Sequence, residues 1–357
     1  MRAVSSLICR SLLAGDFLAW HGRPARVLSI TGKMPVPLGS PVPLGRSLLT
    51  FLSLAGALVP VARADWQRDD TTLAWRAEGK IVWQFSFDPA KGKTFFNPVT
   101  VAGGPSLTNF RPEDHPWHYG LWFSWKYINH TNYWEENRQS GKSAGKTSWT
   151  VPAIDPRTDG GVTIRYEVSY TNPAGRVDLA EKRELVVSAP AADGSYSIDW
   201  RAHFTAGPDG AELDRTPMPG EPGGQVNGGY AGLSIRTANA PLAIAYVSTA
   251  GPIAEFVSGR NRPNVPAVAS NFSQDGQDVG AVAIFSDPAN VGENAPWYLI
   301  NQKDMRFMCA AILAPAPRTV AAGGGFDLRY RVAVRRAAWT PEVLAAATAA
   351  WLKPGAK

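Results

Sequence analysis

The chain has 357 residues, enough for one large β domain or two ordinary ones. Its formal charge is +6, but residues 1–64 hold seven Lys/Arg against the single acid Asp16, which leaves 29 charges of each sign in residues 65–357. A formally neutral mature chain excludes, on charge, nucleic acid as a partner class.

Residues 1–64 read as a leader. Arg46 precedes an apolar run from Leu48 to Val61, and Ala62-Arg63-Ala64 is a small-x-small cleavage pattern before Asp65. The run is too short to span a membrane, so no span is expected in the mature chain. A Pro-Val-Pro-Leu-Gly repeat stands at 35–39 and 41–45, and Met34 offers a conventional start. The expectation is an exported protein, periplasmic or extracellular, with residues 65–357 as one domain. Cys9 and Cys309 are the only cysteines. One remains after cleavage, so no internal disulfide is expected. Cys309 sits in an apolar strand-like run, Met305 to Leu313, and is expected to be buried.

From residue 71 the pattern is β. Thr72–Glu78 and Ile81–Phe87 alternate and are joined through Gly79-Lys80, a hairpin signal. Val162–Tyr170, Ala180–Val187 and Tyr196–Phe204 alternate between Asn/Pro/Gly or Asp/Gly turns. Leu242–Val247, Val279–Ser286 and Phe326–Val334 continue the series. Strands at this spacing without helices between them predict an all-β fold, a large antiparallel β-sandwich. The long irregular stretches are 101–146 and Gly207–Gly229. Only the C-terminus reads as a helix: Thr340 as N-cap, Pro341 at N1, Glu342 in the first turn, then Val343 to Leu352.

The chemistry is concentrated in residues 111–136. Three of the five histidines lie there, with four Trp, three Tyr, one Phe and four carboxylates. His115 and His118 flank Pro116, which bars a regular helix and leaves a turn. A His-x-x-His turn presents two imidazoles to one ligand, and paired with Asp114 or Glu136 they supply acid–base groups for a sugar hydroxyl or carbonyl. The same set leaves open a divalent metal on His115, His118 and Glu136, although no fixed-spacing metal signature occurs and no cofactor is predicted. Trp117, Trp122, Trp125, Tyr133 and Trp134 would wall a small polar ligand. Arg111 and Lys126 would hold its oxygens. Asp199, Arg201 and His203 share one face of a strand, either lining a cleft or wet. Asp287-Pro-Ala-Asn290 reads as an Asx turn or a further binding element.

The stretch Pro112-Glu-Asp114-His115-Pro116-Trp117-His118-Tyr119-Gly120-Leu121-Trp122, followed by Asn129-His130-Thr-Asn-Tyr133-Trp134-Glu-Glu136, resembles the family of exported bacterial proteins labelled methane oxygenase PmoA. Gly228–Arg236, Asp287–Asn290, Pro296–Tyr298 and the Leu328–Val332 strand extend the resemblance. It implies a galactose-mutarotase-like supersandwich that binds, and as an isomerase, lyase or hydrolase processes, a small-molecule or glycan substrate. It implies His115, His118, Asp114 and Glu136 in catalysis, and Arg111, Trp122, Trp125, Asn129, Trp134, Arg236, Asp287 and Asn290 in binding. Two alternatives stand beside it: a copper or iron oxygenase, as the label implies, and a non-catalytic glycan-binding module. Trp117 replaces a His of the pattern, which thins a three-His metal site, and Tyr119 replaces an Arg, which weakens an anion contact.

Overall fold

A computed structural model describes residues 65–353. The leader, Met34 and the cleavage pattern lie outside the described residues. The described chain is all β apart from two short 3-10 turns and one C-terminal helix.

Two large sheets carry the fold. The first has nine strands, in spatial order Asp65–Arg68, Thr72–Ala77, Lys80–Ser86, Phe95–Val99, Leu121–Ser124, Gly232–Arg236, Arg306–Ala310, Trp297–Asn301 and Arg260–Asn261. The second runs Gly251–Ile253, Ala243–Ser248, Ala267–Gln274, Gln277–Ser286, Gly325–Arg335, Tyr196–Ala206, Val177–Val187, Val162–Thr171 and Lys146–Trp149, with Ala153–Pro156 also paired to Val162–Thr171. Arg318–Val320, Ala211–Asp214, Tyr127–Ile128 and Thr131–Asn132 make a small third sheet. Neighbouring strands pair antiparallel, so the expected sandwich class is borne out.

The core lies between the two large sheets. Leu121, Phe123, Leu233, Ile235, Leu299 and Met308 of the first meet Ile164, Leu185, Trp200, Phe204 and Val332 of the second. Phe123 and Phe204 are in aromatic contact at 5.7 Å. Residues opposite each other on an antiparallel ladder point to the same side. The register Trp122↔Ser234↔Cys309↔Tyr298 and Arg236↔Phe307↔Ile300 therefore places these side chains together on the face turned away from this core. There a second cluster forms from Phe95, Tyr119, Trp122, Trp134, Tyr298, Ile300, Phe307 and Cys309. Cys309 is buried as expected, and burial pushes its thiol up to about 12.

The first hairpin turns one residue earlier than the sequence suggests. Ala77 pairs with Lys80, and Glu78 and Gly79 form the turn with φ of 51° and 73°. Two central residues with positive φ match the twist of the flanking strands, and Gly takes one of them without strain. The helix Pro341–Leu352 is capped as expected, Thr340 accepting from the Val343 amide at 3.3 Å. Leu344, Thr348 and Trp351 pack it on the outer face of the second sheet, where Ala267, Ala269, Ala281 and Ala283 leave room. The Gly207–Gly229 segment is tied down: buried Arg215 donates to Leu313 O and Glu221, and Arg262 donates to Gly228 O.

Candidate functional site

The two histidines are set by two consecutive turns. The His115 amide donates to Pro112 O at 3.0 Å, and the His118 amide to His115 O at 3.0 Å. Pro116 takes the second position of the latter turn, where its fixed φ belongs. The Arg111 amide closes the loop by donating to His118 O at 2.8 Å. Gly120 then redirects the chain into the strand at φ 68°, and a Cβ there would sit 2.7 Å from Phe96 O. One turn between the imidazoles stacks them at 4.7 Å and 25°. Phe307 lies on the other side of His118 at 5.2 Å, and Trp122 beneath it at 5.1 Å.

Arg236, fully buried at the end of its strand, organises this pair. Its Nη2 donates to both Asp114 oxygens at 3.1 and 2.8 Å and to Asp304 O at 2.6 Å. Its Nη1 faces His118 Nδ1 at 3.3 Å. A guanidinium only donates, so His118 Nδ1 accepts and the ring proton sits on Nε2. Burial, then the neighbouring His115, Arg236 and Lys93, holds His118 well below the ordinary histidine range. His115, half exposed, has Nδ1 2.8 Å from Asp114 Oδ2. The ionised carboxylate accepts, which leaves His115 Nε2 with its lone pair. Burial raises the Asp114 pKa, but hydrogen bonds from Arg236 and His115 outweigh it and the net shift is downward.

These groups line a cavity of about 350 Å³, within the roughly 300–1,000 Å³ of small-molecule sites. Trp117, Trp134, Tyr230, Tyr298 and Phe307 supply aromatic walls. Glu135 supplies the facing carboxylate. It is held by Lys126, by the Tyr230 hydroxyl and by Asn132 Nδ2 at 2.7 Å. Burial raises its pKa, but Lys126 and these hydrogen bonds bring it below the usual carboxylate value.

Of the residues singled out in the sequence, the cavity gathers His115, His118, Asp114, Trp117 and Trp134, with Arg236 and Trp122 directly behind. Several expectations are corrected. Glu136 points away, into a buried group with Lys93 at 3.0 Å, Arg111 at 2.9 Å and the Tyr119 hydroxyl at 2.7 Å. It cannot join His115 and His118 on a metal, and among the described residues no group of three or more His, Cys, Asp or Glu is arranged as a metal site. Arg111 goes with Glu136. Trp125 lies in the core between the sheets, against Phe123 and Phe204. Asn129 and His130, with φ of 48° and 60°, form the turn between Ile128 and Thr131, and Asn129 bonds to the Glu212 amide. Asp287 caps a 3-10 turn by accepting from the Ala289 amide, and Asn290 is buried on Ser286 Oγ and the Arg329 backbone. Asp199, Arg201 and His203 pair with Arg331, Glu184 and Asp327 on the second sheet, none of them in the cavity.

Sequence reasoning missed Glu135, Asn227, Arg260, Gln302 and Phe307, all in the cavity wall. Tyr230 and Tyr298 carried a signal, since both fall in stretches that support the family resemblance.

The fold and site define an antiparallel β-sandwich with a histidine- and aromatic-lined cavity on the outer face of one sheet. The chain belongs to a family of unknown function, DUF6807, whose model matches residues 72–349. This overturns the methane-oxygenase-labelled family inferred from the motifs. The copper or iron oxygenase alternative loses the label it was drawn from. No curated protein matches the sequence. Among solved structures, the chain is similar to an alpha-galactosidase from Lactobacillus brevis, with 11% identity, 78% of this chain and 40% of that chain covered, and a TM-score of 0.41. It is also similar to a putative aldose 1-epimerase from Klebsiella pneumoniae, with 8% identity, 78% and 83% covered, and a TM-score of 0.41. The chain thus spans about two-fifths of the galactosidase it matches. Likeness at this level carries no argument for activity. No helix among the described residues is long and apolar enough to cross a membrane.

Proposed function

We propose that the cavity binds a carbohydrate or related polyol and that the protein processes it by moving a proton. The observation that carries this reading is the stacked pair His115 and His118, held in opposite tautomers by Asp114 and Arg236. His115, backed by a carboxylate, offers Nε2 as a general base. His118, kept neutral at pH 7, carries a proton on Nε2 and donates to a ring or carbonyl oxygen without itself ionising. Trp117 and Tyr230 supply faces for the apolar side of a sugar ring, and ionised Glu135 accepts from its hydroxyls. Export is proposed on the Arg46–Ala64 pattern alone, and N-terminal sequencing of protein recovered from the cell envelope tests it.

The test of function is a panel of aldoses, ketoses and their glycosides with purified protein in deuterated water. Expected is deuterium incorporation or accelerated interconversion of sugar isomers, lost in His115→Ala. Absence of both binding and exchange across the panel sinks the proposal. Binding without exchange selects the second reading, a non-catalytic glycan-binding module, which the half-exposed Trp117 at the cavity mouth favours.

A further inference from the structure

All but one of the permanent charges in the cavity wall are neutralised from within the protein. Asp114 is matched by Arg236, and Glu135 by Lys126. Arg260 is the exception. Its Nε donates to the Tyr298 hydroxyl at 3.1 Å and its Nη1 to Ser258 O at 2.7 Å, both neutral acceptors. A guanidinium has five N–H donors, so the remaining three have no protein acceptor among the described residues.

Arg262, two residues on, repeats the pattern behind the wall. Its Nη2 donates to the carbonyls of Val226 and Gly228 at 3.1 and 2.7 Å. Its Nη1 is buried with no hydrogen-bond partner, and its guanidinium lies 4.2 Å from the centre of the Tyr298 ring. Two cations without carboxylates therefore flank Tyr298. A cleft with one uncompensated sign of charge concentrates ligands of the other.

We propose that the natural ligand is an acidic sugar, a uronate or aldonate unit, whose carboxylate docks on the free edge of Arg260. This rests on the carbohydrate reading above and narrows it. A carboxylate is favoured over a phosphate ester by charge. The fork, fixed by two hydrogen bonds, takes either anion in bidentate fashion, but the single cation in the wall matches the one charge of a carboxylate and leaves a phosphate dianion half uncompensated. A phosphate is served by clustered amides at a helix N-terminus, and the only α-helix among the described residues packs on the other sheet.

The docking also names the proton that moves. A carboxylate held by a cation acidifies the hydrogen on the adjacent carbon. His115 Nε2 takes that proton, and the C–H electron pair passes into the carboxylate oxygens at Arg260. Delivery of a solvent proton to the opposite face of that carbon, with His115 releasing its proton to solvent, inverts the centre and completes an epimerisation with no co-reactant; return to the same face only exchanges the hydrogen.

The experiment is calorimetric titration of purified protein with the methyl glycosides of D-glucuronate and D-galacturonate, with the matched neutral glucosides and galactosides, and with a hexose phosphate. The uronides are expected to bind at least ~10-fold more tightly than their neutral counterparts, about 1.4 kcal/mol. In Arg260→Gln that preference disappears; in Arg260→Lys part of it survives. Melting curves confirm that both variants are folded. Equal wild-type affinity for uronides and neutral glycosides overturns the acidic-sugar inference and leaves the carbohydrate reading standing. Preference for the hexose phosphate overturns the carboxylate assignment. Binding of no sugar of any class overturns both.

Discussion

Glu135 and Glu136 are neighbours in the chain and work on opposite sides of it: Glu135 faces the cavity with Lys126 and Tyr230, while Glu136 closes a buried group with Lys93, Arg111 and Tyr119. Their isosteric substitutions separate accordingly. Glu136→Gln strands the Lys93 ammonium, only 4% exposed, without its counter-charge. Breaking a buried pair from one side costs about 3–5 kcal/mol, so urea unfolding should show a loss of that order. Glu135→Gln strands Lys126, 5% exposed, in the same way, and in addition weakens ligand binding, which Glu136→Gln leaves alone. A Glu136→Gln protein as stable as wild type would refute this assignment.

The tautomers assigned to the two histidines give them unequal roles. His115→Ala should lower turnover about 10²–10⁴-fold, the usual worth of a general base, with little change in stability because the ring is half exposed. His118→Ala should lower both, since its ring is stacked between His115 and Phe307. Steady-state kinetics beside melting curves resolve the two patterns.

The depressed pKa of His118 has a stability consequence with a definite sign. An unfolded histidine titrates near about 6.5. Below that pH the unfolded chain binds a proton that the folded chain refuses, so stability falls as pH is lowered, by up to about 1.4 kcal/mol per pH unit. The loss continues down to the folded pKa of His118. Asp114 and Glu135, shifted down, contribute stability that is present above about pH 4 and is lost only at lower pH. The interval from about pH 6.5 to 5 thus isolates the histidine. Urea midpoints across it should slope less steeply in His118→Gln than in wild type.

Trp117 and Trp125 separate recognition from packing. Trp125→Ala opens a hole between the sheets and should cost about 3–5 kcal/mol. Trp117→Ala should leave unfolding nearly unchanged and reduce ligand affinity. Equal destabilisation of the two would contradict their placement.

Gly120→Ala tests the turn that aims His118. The substitution forces a positive φ on a residue with a Cβ and drives that atom against Phe96 O. Strain of about 1–3 kcal/mol is expected, with a fall in turnover larger than that of a surface Gly141→Ala control, which meets no neighbour.

The second sheet was legible from the sequence because its strands alternate. Ile164–Tyr170 and Leu328–Val334 bury every other residue and leave those between at least partly open to solvent. The first sheet was legible in its Thr72–Ala77/Lys80–Ser86 hairpin but not beneath the cavity. Leu121–Ser124 and Gly232–Arg236 are short and buried on both faces, by the core on one side and the cavity floor on the other. A short run without alternation has no period to read. The same cause hid half the site. The His115/His118 turn is local and was visible. Arg260, Tyr298 and Phe307 come from strands far along the chain from that turn, and only the register brings them to it. Choosing between Glu135 and Glu136 required knowing which side of one short segment faces in.

Arg236 and His118 lie side by side across 118 positions of sequence. Two pairings beneath the cavity, Leu121–Ser124 with Gly232–Arg236 and Gly232–Arg236 with Arg306–Ala310, likewise join segments distant in chain order. Pairings of such separation form late, because each closes a long loop. During refolding, tryptophan burial in the hairpins should therefore precede any ability to bind ligand. Ligand binding then becomes a timer for the last strand to dock, and a chain shortened before Arg306–Ala310 would keep every histidine yet have no floor on which to use them.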